Sequence, residues 1–185
     1  MEDELVELAH VAERGIHPPE LMPFEVAWTD TTTLESFLAF HLTQRRDWSP
    51  AAWDLALGVW HRGELVGIQS VRAQRFAEER RVVTGSWLGA PFQGQGIGTE
   101  MRTAVLELAF RGLGARVAVS GAVEGNDASR GVSAKLGYRV TGEDFYAPRG
   151  EPVRHANFEL AAGDWRPPYA VAIDGLAPCL PLFGL

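Results

Sequence analysis

The stretch Gly89 to Arg102, GAPFQGQGIGTEMR, decides how this chain is read: Gly89, Gly94, Gly96 and Gly98 crowd directly before a helical pattern carrying Met101, Ala104, Val105 and Leu108. Helix N-termini present unpaired N–H groups and a partial positive charge. Glycines there remove the Cβ atoms that would hold an anion off the main chain. The loop contains no lysine, so main-chain amides would do the binding, and a diphosphate suits such a cradle. Three phosphate-binding patterns compete. The triphosphate loop GxxxxGK[ST] needs a Lys-Ser or Lys-Thr pair, which the chain lacks. The dinucleotide fingerprint GxGxxG needs its third glycine one residue later than Gly98, and an acid closing the unit about 20 residues on. The pattern Gln-x-x-Gly-x-Gly is met by Gln93, Gly96 and Gly98.

Outward from this loop, Arg81 to Leu88 reads as a strand rich in Val, Thr and Trp. Before it, WDLALGVWHRGELVGIQSVRA forms two apolar runs around Arg62-Gly63, a hairpin. Two helices precede that: Glu2 to Arg14, with Leu5, Leu8, Ala9 and Ala12 on one face, and one starting in TDTTTLESF. In the latter Thr32 and Glu35 have capping-box spacing and Leu34, Phe37, Leu38 and Leu42 form the stripe. After the loop helix come a strand (ARVAVSGAV), a short helix (NDASRGVSAKLG) capped by Asn126 or Asp127, and a closing hairpin (YRVTGEDFY and VRHANFELA). This order predicts an α/β (α+β) domain around a mixed sheet.

Composition narrows the partners. The 185 residues are 46% apolar and 22% charged, with net charge -7 and pI about 5.2, which disfavours a nucleic-acid partner. An acidic surface suits a cationic substrate, and serves solubility equally well. Cys179 is the single cysteine, so no internal disulfide forms. The acidic start MEDELVEL is no secretory signal and no apolar run reaches the roughly 18 residues of a membrane span. The expectation is a cytoplasmic protein with no membrane partner. His10, His17, His41, His61 and His155 show no metal-ligand spacing, so no metal is expected.

WLGAPFQGQGIGTEMRTAVLELAF followed by EGNDASRGVSAKLGYRVTGE resembles the GCN5-related N-acetyltransferases (GNAT), in the branch containing ribosomal-protein N-terminal acetyltransferases. The resemblance rests on Gln93 to Gly98, on Asn126-Asp127-Ala128-Ser129 and on Leu136-Gly137-Tyr138, with order and spacing matching over 53–160. It implies a mostly antiparallel central sheet flanked by helices, and acetyl-coenzyme A as donor. Gln93, Gly94, Gln95, Gly96, Ile97, Gly98 and Thr99 would form the diphosphate loop. Leu88 and Ala90 would pair their backbones with the pantetheine arm. Asn126 would contact that arm, and Ser129 would stand near the thiol and protonate the departing thiolate. The Leu88 N–H would face the oxyanion, and the acceptor pocket would draw on His17, Met22, Phe24, Trp28, Trp48 and Tyr146.

The chain departs from the family in two ways. It opens on a helix where relatives begin with a strand, and Tyr169 to Ile173 (YAVAI) has the composition to pair at an exposed sheet edge. Residues 1–163 are thus expected to form the domain and 164–185 an extension supplying an added edge strand. The strand before the loop also holds no acid, which leaves Glu124, Glu143 and Asp144 as candidate bases, with Tyr138 and Tyr146 as candidate proton donors. Attack requires a neutral amine. At pH 7 an α-amine is neutral about one time in ten, and a lysine amine about one in a few thousand, so a weak base favours an α-amine. The expected partner is therefore an amine acceptor, a protein N-terminus or a small molecule, with a homodimer as the candidate assembly. The alternative is a degenerate domain of the same fold that binds an acyl-coenzyme A as a sensor or scaffold.

Overall fold

A computed structural model describes residues 2–185. Two helices, α1 (Glu2–Glu13) and α3 (Leu34–Arg46), flank a connection that carries the one-turn α2 (Trp28–Thr31). The hairpin β1 (Ala52–His61) and β2 (Glu64–Gln74) follows, then the short α4 (Phe76–Glu79) and β3 (Arg81–Leu88). The glycine loop leads into α5 (Ile97–Glu107), which continues through a π-turn to Gly112. The chain then forms β4 (Val117–Val123), α6 (Asp127–Lys135), β5 (Arg139–Tyr146) and β6 (Val153–Ala161).

The strands form one sheet in the order β1-β2-β3-β4-β6-β5. Every neighbour pair is antiparallel except β3 and β4. One face packs Leu5, Leu8 and Ala9 of α1 and Phe37 of α3 onto Leu65 and Ile68. The other packs Val105, Leu106 and Ala109 onto Val71, Val82 and Ala118. Of the apolar stripes read from the sequence, Leu5, Leu8, Ala9, Phe37 and Val105 are buried, Ala12, Leu34, Leu38, Met101, Ala104 and Leu108 are half-buried, and Leu42 points to solvent. The cap of α3 is Thr33, not Thr32: its side chain accepts from Ser36 N–H at 3.2 Å while Ser36 Oγ accepts from Thr33 N–H at 2.9 Å. A run of three threonines offers adjacent caps, and the one at the helix boundary is used.

The tail corrects an expectation. Tyr169 to Ile173 belongs to no strand, and β1 and β5 are the sheet's edges. Pro167 and Pro168 donate no ladder bond, and the tail is instead held by its own apolar residues. Its final turns, Ala177–Phe183, set Phe183 edge-on against Trp53 and Trp48, with ring centroids at 4.9 and 5.4 Å. Trp48 Nε1 donates to the Leu182 carbonyl at 2.8 Å. The tail therefore seals the end of the core where β1 begins.

Candidate functional site

The site is built on a divergence between two strands. β3 and β4 pair only from Arg81↔Val117 to Val83↔Val119, although β3 runs on to Leu88 and β4 to Val123. Beyond Val83 a gap opens. The Gly89 N–H donates to the Val66 carbonyl on β2. By strand alternation the main-chain groups of Ser86 and Leu88 then face β4, and those of Gly121 face β3. Among the described residues these edges have no interstrand partner past Val83, and although the Leu88 carbonyl accepts from Gln93 Nε2, the Leu88 N–H and the groups of Ser86 and Gly121 remain for an extended ligand to join.

On one side of the gap stands the glycine loop. Gly94 and Gly96 have φ of 72° and 88°, a conformation side chains rarely adopt. A Cβ on either would meet nothing within 4 Å, so space is not what selects glycine there. Among the described residues, the N–H groups of 94–98 donate to no acceptor of the chain. Five consecutive free donors at the start of α5 fit a diphosphate. Gly98 serves differently: it lies in the helix, and a Cβ there would touch Val132 and Leu88 at 3.7 and 3.9 Å.

Behind the gap lies a buried cation. Arg102 of α5 is 4% exposed and forms no ion pair with a carboxylate among the described residues. Its guanidinium reaches Ser120 Oγ on β4 at 2.8 Å and Ser86 Oγ on β3 at 3.1 Å, with Gln69 Oε1 at 3.5 Å. It bridges both strands just where their ladder ends. Side-chain donors thus replace the missing interstrand bonds, and the planar fork holds the strands apart.

The opposite face carries the residues expected of an acceptor pocket. The connection after α1 is moored to the glycine loop, because Gln93 Nε2 donates to the carbonyls of Ile16 and Leu88 at 2.8 Å each and Ala90 N–H donates to Gly15. It then crosses to the far strands, where Arg149, in the β5–β6 turn, donates to Asp30 through Nε and Nη2, both at 2.7 Å, and to the Pro19 carbonyl. That bidentate bond holds the Asp30 carboxyl below its usual range. Under this strap Phe24 lies 5.2 Å from Trp28, and Trp28 6.2 Å from Trp87 of β3. His17 stacks edge-on to Phe24 and bonds Thr29 Oγ1 at 2.7 Å, and Met22 is buried beside Thr29. On the other bank His155 of β6 meets Tyr146 edge-on at 4.7 Å, and its Nε2 lies 3.8 Å from Glu25 Oε1. Burial, followed by the Glu25 and Asp144 carboxylates, pushes the Tyr146 hydroxyl up.

The predicted residues thus divide. His17, Met22, Phe24 and Trp28 gather in one strap, and Tyr146 faces it from β5. Trp48 does not join them: it stacks on Trp53 at 5.9 Å under the tail, because α3 carries the chain to the closed end of the sheet before β1 starts. Gln93 and Ala90 spend their polar groups mooring the connection, and Thr99 N–H closes the first turn of α5 on Gly96. Gln95 Nε2 donates to the Pro91 carbonyl at 2.7 Å. Asn126 caps α6 by accepting from Ser129 N–H at 3.1 Å, which leaves its amide nitrogen and the half-buried Ser129 hydroxyl for other partners. Glu124 is exposed, Glu143 lies 3.8 Å from Arg154, and Asp144 accepts from Asn157 Nδ2 at 2.6 Å. Arg102, Trp87, Glu25 and His155 were not singled out from the sequence. Only the register, which sets one face of each strand against a particular helix or loop, brings them to the gap.

This gap beside a glycine-opened helix is the shape that an extended ligand ending in a diphosphate would fill. Residues 4–139 match the acetyltransferase (GNAT) domain family, and the chain belongs to it. It is an acetyl-CoA-dependent N-acetyltransferase. Solved structures share the fold. RimJ of Mycobacterium smegmatis in complex with CoA-disulfide is 17% identical with TM-score 0.73, over 89% of this chain and 80% of that one. Microcin C7 self-immunity acetyltransferase MccE in complex with acetyl-CoA and AMP is 15% identical with TM-score 0.68, over 87% and 88%. A ribosomal-protein-alanine N-acetyltransferase from Brucella melitensis is 19% identical with TM-score 0.66, over 87% and 96%. Among the described residues no helix is long and apolar enough to cross a membrane, and no cluster of side chains could hold a metal.

Proposed function

We propose that the chain transfers acetyl directly from acetyl-coenzyme A to an amine of low pKa, an α-amine above all. The N–H groups of 94–98 hold the diphosphate, the edges at Ser86, Leu88 and Gly121 take the pantetheine arm, and the Leu88 N–H meets the oxyanion. Ser129 returns a proton to the thiolate, and Asn126 steadies the arm through its free amide. The amine enters under the strap from the opposite face, toward the carboxylates of Glu25 and Asp144. One observation supports this reading above the rest. The strand edges left outside the ladder lie between the free donors of the glycine loop, which follows Leu88, and the aromatic cluster that includes Trp87.

The neighbouring RimJ and ribosomal-protein-alanine acetyltransferase make a protein N-terminus the first acceptor to try. The test is steady-state thiol release from acetyl-CoA with a panel of peptides bearing free N-termini, amino-acid amides, polyamines and aminoglycosides. Saturable turnover, faster with α-amines than with lysine ε-amines, is expected. Tight acetyl-CoA binding without turnover on any amine would favour the sensor reading instead.

A further inference from the structure

We propose that His155, supported by Glu25, is the base that takes the proton from the incoming amine. This inference rests on the acetyl-transfer reading above and names a residue that the family resemblance did not supply. His155 is 6% exposed, yet its buried Nδ1 has no hydrogen-bond partner. Buried polar atoms are nearly always bonded, and each exception calls for an explanation, of which a catalytic role is one; Trp53 Nε1 and Ser133 Oγ share this state, but neither stands on the face that carries Glu25. The other nitrogen, Nε2, lies 3.8 Å from the Glu25 carboxylate, close enough to stabilise an imidazolium once it forms.

The location carries as much weight as the missing partner. Ser120 and Gly121 are consecutive on β4, and their side chains point to opposite faces. Ser120 receives Arg102 on the α5 face, while the Cα of Gly121 meets the imidazole of His155 on the acceptor face. The two groups therefore flank the same level of the gap. The competing acids are spoken for or distant: β3 holds none, Glu124 is exposed, Glu143 faces Arg154, and Asp144 is held by Asn157. Imidazole is also the side chain whose ordinary titration lies nearest neutrality.

The step balances without another reagent. Neutral His155 accepts one proton from the ammonium form of the acceptor and becomes an imidazolium beside Glu25. The freed nitrogen lone pair attacks the thioester carbonyl and a C–N bond forms. The C–S bond then breaks, and its electron pair leaves as thiolate. The Ser129 hydroxyl gives its proton to that thiolate and is reprotonated by the remaining excess proton from nitrogen, and His155 releases its own proton to solvent.

The titratable groups that face the imidazole are Glu25 from the connection and Asp144 and Tyr146 from β5. Arg72 of β2 acts on Tyr146 from across the gap, and β4 presents only Gly121 and Val123.

The experiment compares the full chain with His155→Gln and Glu25→Gln, measuring the acetyl-CoA Kd, kcat and kcat/KM between pH 6 and 9 with an α-amine acceptor. His155→Gln is expected to keep the Kd within about twofold. Its kcat at pH 7 should fall about 10²- to 10³-fold, the range of general-base catalysis, and the deficit should shrink at high pH as the amine deprotonates unaided. Glu25→Gln, at an exposed carboxylate, should fold normally, lower kcat about threefold to tenfold and move the ascending limb to lower pH, because the imidazolium has lost its counter-charge. A parental pH profile and kcat within threefold in either variant would overturn the assignment. If the parent itself binds no acetyl-CoA or turns over no amine, the acetyl-transfer reading falls, and this assignment with it.

Discussion

His155 rests on the bare Cα of Gly121: a Cβ built there would stand 2.1 Å from its Cε1 and 2.4 Å from its Nε2. Glycine at 121 is therefore a packing requirement of the imidazole, independent of backbone conformation. Gly121→Ala must push the ring away. Overpacking of this kind costs about 1–3 kcal/mol, a fall in Tm of a few degrees for a domain of this size. We expect kcat to drop more than about tenfold at 25 °C, where the variant remains folded. Calorimetry and thiol-release kinetics check the pair of effects, and an unchanged kcat would separate His155 from the chemistry.

Gly96 offers the complementary case. A side chain there has open space in the free protein but must adopt φ of 88°, which costs about 1–2 kcal/mol for a non-glycine residue. Gly96→Val should thus lower Tm modestly. Its acetyl-CoA Kd, measured by calorimetric titration, should rise more than about tenfold, because the new side chain occupies the space an anion needs.

The strap makes a prediction about the acceptor alone. Arg149 ties the β5–β6 turn to Asp30 and Pro19. Asp30, held low by that guanidinium, supports the clasp above the usual carboxylate range and loses it as pH falls through its lowered value. Arg149→Ala should raise the acceptor KM several-fold while leaving the acetyl-CoA Kd unchanged. Trp48→Phe, at the closed end of the sheet, should leave the acceptor KM alone, and Trp28→Ala should raise it.

A stability signature comes from His41, which lies in contact with Phe37 and Phe40. Burial, with a smaller contribution from Arg45, brings it down to about 4. Between the ordinary imidazole value near 6.5 and 4, the unfolded chain binds a proton that the native chain refuses. Stability at this site is therefore whole above pH 6.5 and falls progressively to pH 4, by up to about 3 kcal/mol. His41→Leu should flatten that part of the urea-denaturation curve against pH.

Much of this fold is legible before any coordinates because its signals are local. Glycines preceding a helix, an Arg-Gly turn between apolar runs and an asparagine cap each act within a few residues. The failures are non-local. YAVAI has strand composition but finds no strand partner, because the tail's apolar residues are drawn to Trp53 and the end of α5. Trp48 looked like a pocket residue until the run of α3 placed it at the far end. His155 and Glu25 lie 130 residues apart in sequence, and only the pairing of Val123 with His155 turns the imidazole toward the gap. Arg102 reads as an ordinary arginine on an amphipathic helix, and the divergence of β3 from β4 is what gives it two serines to hold.

The most direct test of the account is a crystal structure of the chain with acetyl-CoA. The diphosphate is expected within hydrogen-bonding distance of the N–H groups of 94–98, the pantetheine between β3 and β4 beyond Val83, and the acetyl group emerging on the face that carries Glu25 and His155. A diphosphate lodged elsewhere, or strands closed into a continuous ladder with the ligand outside them, would contradict it.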